Sequence, residues 1–367
     1  MPALSFAPAL SLLMAFGNTP PARPIRAWWQ QAGRTLRPAR PRPFTPRQTA
    51  AQSEVLAAGR AGWDQLATVL HEPRRGPQPT IVLGGFVPDS TEQVFLLRPH
   101  LLRHGSVYYF NYPRHGFSAE LVAAQLADLV TELNQSESRP PVLLAVSFGA
   151  ALVVDALRRM RDAATPLEVA GVILVSPVIT AADIIPPGAV KPATLLGRAL
   201  KPFLRPDVPP TEPEVQKARS LFLRMFEAGA QNKVALAALM SGAELKTLHR
   251  RVVAAIREID TRGAHERVRA MLEPPPLTAK EAALTPAPAL ILYAEKEDAV
   301  LDPRAPSRLA LEGGQPAGFP AGETRVIRHT TGPAVQHASL IFHAANFRPP
   351  IAAFYLRLKS RKLLHAA

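Results

Sequence analysis

The stretch RPPVLLAVSFGAALVV, residues 139–154, decides the fold. Its residues Val142 to Val146 form a continuous apolar run, which is typical of a strand buried on both faces of a parallel sheet. From Ala150 to Leu157 the apolar residues instead recur at helical spacing. Ser147 therefore lies at the turn from a buried strand into a helix.

Small residues flank this serine. Gly149 follows two positions later, and Ala145 precedes it by two. The pattern indicates a nucleophile elbow, G-x-S-x-G, in which a tight turn presents the serine hydroxyl to the N-terminus of the next helix. Ala145 departs from the pattern by one methyl group. A buried serine that bonds to nearby backbone is the alternative, and the local sequence leaves both open.

The composition fits a large α/β protein. The chain has 367 residues, 47% of them hydrophobic, and it contains no cysteine and no clustered metal-ligand pattern. We therefore expect no metal and no cofactor. The longest apolar segment, residues 3–17, is too short to span a membrane, and no basic residue precedes it, which favours a cytoplasmic protein over a secreted one.

Basic residues concentrate near the N-terminus. The net charge is +14, and residues 18–48 hold seven arginines, many prolines and no acidic residue. Residues 1–48 are therefore predicted to form an extended basic arm. Trp28 and Trp29 lie within it, so the arm is either a solvated leader or a segment that makes peripheral contact with an anionic membrane surface. Nucleic acid is the least favoured partner, since no recognition module is evident.

Strand and helix signals alternate through the rest of the chain. An amphipathic helix is predicted over 50–70, followed by strands at 80–86, 106–112, 142–146, 169–178, 289–294 and 323–329 with helices between them. This alternation predicts a mainly parallel sheet with helices on both faces. The core would comprise residues 49–179 and 288–367. No antiparallel strands are evident before residue 80.

Residues 180–287 interrupt this alternation with helical patterns. Thr211 and Glu214 form a capping-box pattern, and Leu248, Val252 and Ile256 lie on one apolar stripe. We expect a helical lid inserted between two core strands. Most of its apolar residues would pack on the core, and a minority would line a substrate cleft.

Four pieces, taken in order, resemble the α/β-hydrolase family over residues 79–360. They are LGGF at 83–86, YPRHGFS at 112–118, AVSFG at 145–149, and an acid and a histidine after the lid. The resemblance implies a Ser–acid–His triad with Ser147 as the nucleophile. A serine there excludes the dehalogenase and epoxide-hydrolase chemistry of this fold, which uses an aspartate.

The acid should follow a late strand, in the loop EKEDAVLDP at 295–303. Asp298 matches the acid-loop pattern of the family. Glu295, Glu297 and Asp302 are rivals in the same loop. Asp183, after the strand at 169–178, occupies the alternative acid position that some members of the family use.

The base should follow the last strand. His337, in VQHASL at 335–340, resembles the G-H-x-S pattern of the family, with Gln336 in place of the glycine. His329 could reach the same cleft, and His343 is expected to be structural. The backbone amides of Phe86 and Phe148 are the predicted donors to the oxyanion.

The resemblance implies hydrolysis of a carboxylic ester through an acyl-enzyme. The lid and the arm favour a medium-chain, long-chain or lipid acyl group. A thioesterase, an acyltransferase or a carbon–carbon hydrolase would use the same triad. Ala145 and Gln336 also leave open a catalytically silent protein that keeps the fold and binds a ligand.

Overall fold

The computed structural model of this chain describes residues 41–74, 76–137, 139–189, 191–205, 208–229, 240–329 and 333–365. Its strands are β1 (Arg42–Pro43), β2 (Thr68–Glu72), β3 (Thr80–Leu83), β4 (Val107–Asn111), β5 (Val142–Val146), β6 (Gly171–Val175), β7 (Ala289–Ala294) and β8 (Gly322–Ile327).

The α-helices of the described ranges alternate with these strands. They are α1 (Ala50–Ala57), α2 (Ser90–Gln93), α3 (Arg98–Leu101), α4 (Ala119–Ser136), α5 (Gly149–Asp162), α6 (Leu195–Leu200), α7 (Glu212–Gly229), α8 (Gly242–Glu258), α9 (Thr261–Leu272), α10 (Pro306–Glu312) and α11 (Ala344–His365). Short 3₁₀ helices cover Trp63–Gln65, Ala181–Asp183 and Lys201–Leu204.

The strands form one sheet in the order β1-β2-β4-β3-β5-β6-β7-β8. The pairs β1–β2 and β2–β4 are antiparallel, and every other pair is parallel. The predicted mainly parallel α/β sheet is therefore confirmed. Strand β5 lies near the middle of the sheet, so the turn that follows it opens at the carboxyl edge where loops from several strands meet.

Helices cover both faces because the strand side chains alternate between two layers. Leu143 and Ala145 of β5 belong to one core, which includes residues of α4 and α5. Leu144 and Val146 belong to the other core, where Phe347 of α11 packs. Every residue of β5 is buried, as its continuous apolar run predicts.

The N-terminal part of the core differs from the prediction. Helix α1 ends at Ala57, and Gly59 then adopts a φ of 65°, the left-handed conformation common just after a helix. The second half of the predicted 50–70 helix is instead a loop with a 3₁₀ turn at Trp63–Gln65, followed by the start of β2, which pairs with β4. The antiparallel strands that the sequence did not reveal are thus β1 and β2.

Residues 41–48, the end of the predicted basic arm, pack on this sheet. The amide of Phe44 donates to the Val69 carbonyl at 2.8 Å, and its ring packs edge-on against Tyr108 at 5.1 Å between centroids. Residues 1–40, with Trp28 and Trp29, lie outside the described residues. Within the described ranges, no helix has the length and apolar character needed to cross a membrane.

Between β6 and β7 the chain is helical over residues 181–272, apart from its connecting loops and the residues outside the described ranges; we call this part the helical segment. The stripe predicted on α8 is buried: Leu248, Val252 and Ile256 cluster with Ile341 and Phe342, which follow β8. Val87, after β3, packs against the same cluster. The helical segment therefore lies over the loops at the carboxyl edge of the sheet.

Candidate active site

Ser147 occupies a strained turn between β5 and α5. Its φ is 51°, a left-handed conformation that is uncommon for a residue with a side chain. A Cβ at Gly149 would lie 2.5 Å from the carbonyl oxygens of both Leu83 and Gly84, so only glycine fits there. The methyl group of Ala145 is buried in the core without displacing β5 from its pairing with β3. The turn therefore has the geometry that the elbow pattern predicts.

The hydroxyl of Ser147 begins a chain of hydrogen bonds. Its Oγ lies 2.9 Å from Nε2 of His337, and Nδ1 of His337 bonds to Oε2 of Glu297. This chain places a nucleophile, a base and an acid in contact in the order that acyl transfer requires. Of the predicted site residues, the structure brings Ser147 and His337 together.

Glu297 is fixed by its other oxygen. It is 3% exposed, and its Oε1 accepts from Oγ of Ser176 at 2.8 Å and from the amide of Ala294 at 2.6 Å. These bonds hold the carboxyl group in a fixed, buried position. Oε2 is left to orient the imidazole of His337.

The loops that carry the acid and the base are joined to each other. Lys296 and Gln336 form a parallel β-bridge, in which the Lys296 amide donates to the Val335 carbonyl at 2.9 Å. Gln336 therefore contributes backbone in an extended conformation that does not require glycine. Its side chain turns away to bond with the carbonyl of Ala334.

The structure does not bring Asp298 to His337. Asp298 is exposed, as is Glu295, whereas Glu297 points inward toward the histidine. The amide of Ala294 and the hydroxyl of Ser176 bind the Glu297 carboxylate, and the bridge from Lys296 to Gln336 holds this part of the loop against the base loop. Glu297, one of the four acids considered in this loop, thus replaces Asp298 as the candidate acid. Asp302 is buried and bonds to Arg304.

Asp183 has a structural position. Its Oδ2 accepts from the amides of Ile179 and Thr180, and its Oδ1 accepts from the amide of Ser307 at the start of α10. Burial raises the pKa of this carboxyl above its usual value. Asp183 therefore joins the loop after β6 to α10 and does not contact His337.

The two other histidines near this edge also lie outside the hydrogen-bonded chain. Nδ1 of His343 bonds to Oγ of Ser339 at 2.9 Å, and burial lowers the pKa of this imidazole. The ring of His329 lies 6.3 Å from that of His343, in an edge-on arrangement. The bond to Ser339 agrees with a structural role for His343.

Both predicted oxyanion donors belong to segments next to Ser147: Phe148 follows it directly, and a Cβ at Gly85, before Phe86, would lie 3.5 Å from the Ser147 Cβ. Phe148 begins the first turn of α5, where amides have no partner within the helix. In the loop after β3, the Gly84 amide donates to Ser90 Oγ at 2.8 Å and the Gly85 amide to Gln93 Oε1 at 2.6 Å. The next amide along this loop is that of Phe86. Its ring packs on Phe148, with 5.5 Å between the centroids.

Ser176 is a further residue of the site that its sequence pattern does not predict. It follows β6 directly and has a φ of 45°; its Oγ donates to Glu297 and accepts from the Ala338 amide at 2.9 Å. A serine at the carboxyl end of a strand beside β5 is the one signal that could have indicated it. Its role becomes visible only when the acid and base loops are placed in space.

Ser176→Ala should lower kcat for ester hydrolysis about tenfold with little change in KM, because a hydrogen bond to a charged group contributes about 1.5–3 kcal/mol. Ser339→Ala is the matched control, since Ser339 bonds to His343 instead, and it should stay within about twofold of wild type. Steady-state kinetics on a p-nitrophenyl ester measures both. An unchanged kcat in Ser176→Ala would show that Ala294 alone suffices to hold Glu297.

The model of the alpha/beta hydrolase family matches residues 83–347. The chain belongs to this family. The match spans more than half of the chain, including the elbow, both candidate oxyanion loops and the acid and base loops, so the resemblance found in the sequence is confirmed. The predicted hydrolase class is confirmed at this level.

Solved structures share the fold at low sequence identity. Naproxen esterase from Bacillus subtilis has a TM-score of 0.53 and 15% identity, covering 91% of this chain and 97% of its own. An esterase from Rhodococcus sp. ECU1013 has a TM-score of 0.52 and 13% identity, covering 80% and 97%. A bromoperoxidase from Bacillus anthracis has a TM-score of 0.53 and 16% identity, covering 79% and 96%. No match was found among curated proteins.

Proposed function

We propose that the protein is a serine hydrolase that cleaves a carboxylic ester through an acyl-enzyme. The observation that supports this most is the hydrogen-bonded chain from Ser147 through His337 to Glu297. The nucleophile Ser147 contacts the base His337, and His337 in turn contacts the acid Glu297. The low-identity structural neighbours include esterases, which agrees with the proposal.

Acylation begins when Oγ of Ser147 attacks the ester carbonyl carbon while Nε2 of His337 takes the hydroxyl proton. Glu297 accepts a hydrogen bond from Nδ1–H of His337, which fixes the tautomer and stabilises the imidazolium. The negative charge passes to the carbonyl oxygen, where the amides of Phe86 and Phe148 donate to it. The tetrahedral intermediate collapses as His337 returns the proton to the departing alcohol.

Deacylation repeats these steps with water. His337 removes a proton from a water molecule, whose oxygen attacks the acyl carbon. The second tetrahedral intermediate expels Oγ of Ser147, which regains its proton from His337. The products are a carboxylic acid and the free serine.

We further propose that the acyl group is apolar. A narrow cleft, with an accessible volume of about 20 Å³, lies beside the candidate oxyanion loop. Its lining is almost entirely apolar and includes Phe86, Val87, Phe203, Val215, Phe222 and Ile256. Most of these residues come from the helical segment, and the ring of Phe222 stacks on that of Phe86 at 5.6 Å. Such a wall favours hydrocarbon over polar acyl groups, and it gives the helical segment the role of a lid.

The basic N-terminal residues suggest that such a substrate is bound at a membrane surface. Their arginines, together with Trp28 and Trp29, support peripheral contact with an anionic membrane surface. That contact is a proposal from the sequence.

A fluorophosphonate probe combined with a series of esters tests the proposal. The wild-type protein should be labelled at Ser147, and kcat/KM for p-nitrophenyl esters should rise from acetate to a medium-chain acyl group. Matched thioesters, and an alcohol acceptor added to the ester assay, distinguish a thioesterase or an acyltransferase. A folded protein that neither reacts with the probe nor hydrolyses any ester would instead be a binding protein.

A further inference from the structure

Arg267, in α9 of the helical segment, is buried without an acidic partner. It is 1% exposed, and within the described ranges no carboxylate lies at ion-pair distance from its guanidinium. Burial lowers its pKa to about 10, so the group is still charged at neutral pH. Burying an unpaired charge costs free energy unless its N–H groups are hydrogen-bonded.

The guanidinium binds backbone carbonyls in the two loops beside the site. Nη1 donates to the Phe86 carbonyl at 2.6 Å, and Nη2 donates to the carbonyls of Pro113 at 2.9 Å and Tyr112 at 3.5 Å. Phe86 follows β3, and the other two residues follow β4. The guanidinium also lies within 6 Å of the ring centroids of Phe86, Tyr112 and Phe117. Arg267 thus attaches α9 to the candidate oxyanion loop.

The bond from Arg267 to the Phe86 carbonyl restrains the backbone next to the Phe86 amide, the predicted oxyanion donor. The Phe86 N–H belongs to the peptide group between residues 85 and 86. The peptide group before it is held because the Gly85 amide donates to Gln93. The peptide group after it is held because the Phe86 carbonyl accepts from Arg267. With both neighbours fixed, rotation of the 85–86 peptide group is limited.

We propose that Arg267 is a positioning residue for the oxyanion, acting through the Phe86 backbone. The inference rests on the proposed function, since it assigns a task within acyl transfer. Without the guanidinium, the Phe86 carbonyl loses its donor and the 86–87 peptide group is free to turn. The Phe86 N–H then spends less time directed at the developing negative charge. Substrate binding in the ground state depends less on this amide, so the loss should fall on the transition state.

Arg267→Met tests this, because methionine keeps an apolar stem and removes the donors. We expect kcat to fall about 10- to 100-fold with KM within about threefold, since losing an oxyanion donor outright costs about 10² to 10³ in kcat. The affinity for an alkyl boronic acid, which forms a tetrahedral anion on Ser147, should fall by a similar factor. The affinity for the carboxylic acid product should stay within about threefold.

Arg158→Met is the matched control. Arg158 is also a buried arginine, 8% exposed, but it binds Glu281 and the Pro275 carbonyl away from the site. It should lower Tm and leave kcat and boronate affinity near wild type. Should Arg267→Met fail to fold, Arg267→Lys provides the test: an ammonium can reach only part of the carbonyl set, so boronate affinity should still fall while product affinity holds.

Two results would overturn the inference. One is a folded Arg267 variant with lowered Tm but unchanged kcat and boronate affinity, which would make the arginine a structural clamp only. The other is an equal loss in Arg158→Met, which would trace the effect to general destabilisation. Failure of the proposed function is distinguishable, because the wild-type protein itself would then neither react with the fluorophosphonate probe nor bind the boronic acid.

Discussion

Ser147→Ala should reduce kcat for hydrolysis of a p-nitrophenyl ester by about 10⁴ to 10⁶, since removal of the nucleophile abolishes the acyl-enzyme. Fluorophosphonate labelling should disappear with it. The fold should persist, because alanine removes one oxygen from a side chain that is partly exposed. Circular dichroism and Tm check the fold, and steady-state kinetics measures the loss.

His337→Ala should cost a comparable amount, because nucleophile and base act as one unit and the losses are not additive. His329→Ala is its control, and we expect it to stay within a few-fold of wild type. A folded Ser147→Ala protein with near-wild-type activity would contradict the proposed mechanism. A severe loss in His329→Ala alone would move the base to that residue.

Glu297→Gln should lower kcat by about 10³ to 10⁴ with a small change in Tm. The amide oxygen of glutamine can still accept from Ser176 and Ala294, so the side chain keeps its place. Its NH₂ group then faces Nδ1 of His337 and donates to it. That contact favours the tautomer with its proton on Nε2, which cannot accept the proton of Ser147.

Asp298→Asn separates the two neighbouring acids. Asp298 is exposed and has no contact with His337, so its amide variant should stay within a few-fold of wild type. Asp183→Asn should change Tm more than kcat, since this carboxylate bonds to three backbone amides and not to the histidine. A severe loss in Asp298→Asn with normal activity in Glu297→Gln would return the acid to the position that the family pattern favours.

The elbow could be predicted from sequence because its signals are local. The buried run before Ser147 and the helical spacing after it determine the turn. The backbone of the loop after β3 comes so close to position 149 that only glycine fits there. His337 could be located because it follows the last strand at a fixed point in the family order. Ser147 and His337 can be located without knowing which distant loops are in contact.

The acid can be identified only when the contacts between distant loops are known. Four acidic residues share one loop, and which of them points inward depends on the bridge between Lys296 and Gln336, forty positions apart along the chain. Ser176 and Arg267 could not be predicted for the same reason, since each bonds to backbone or side chains far away in sequence. Strand β2 was missed because its five residues are defined by pairing with β4 more than by their own pattern.

The bridge between the acid and base loops also determines how the site can change over evolution. Acid and base move together because their loops share main-chain hydrogen bonds, whereas the nucleophile belongs to a separate strand-to-helix turn. New substrate preferences can arise in the helical segment while the reacting groups keep their relative positions.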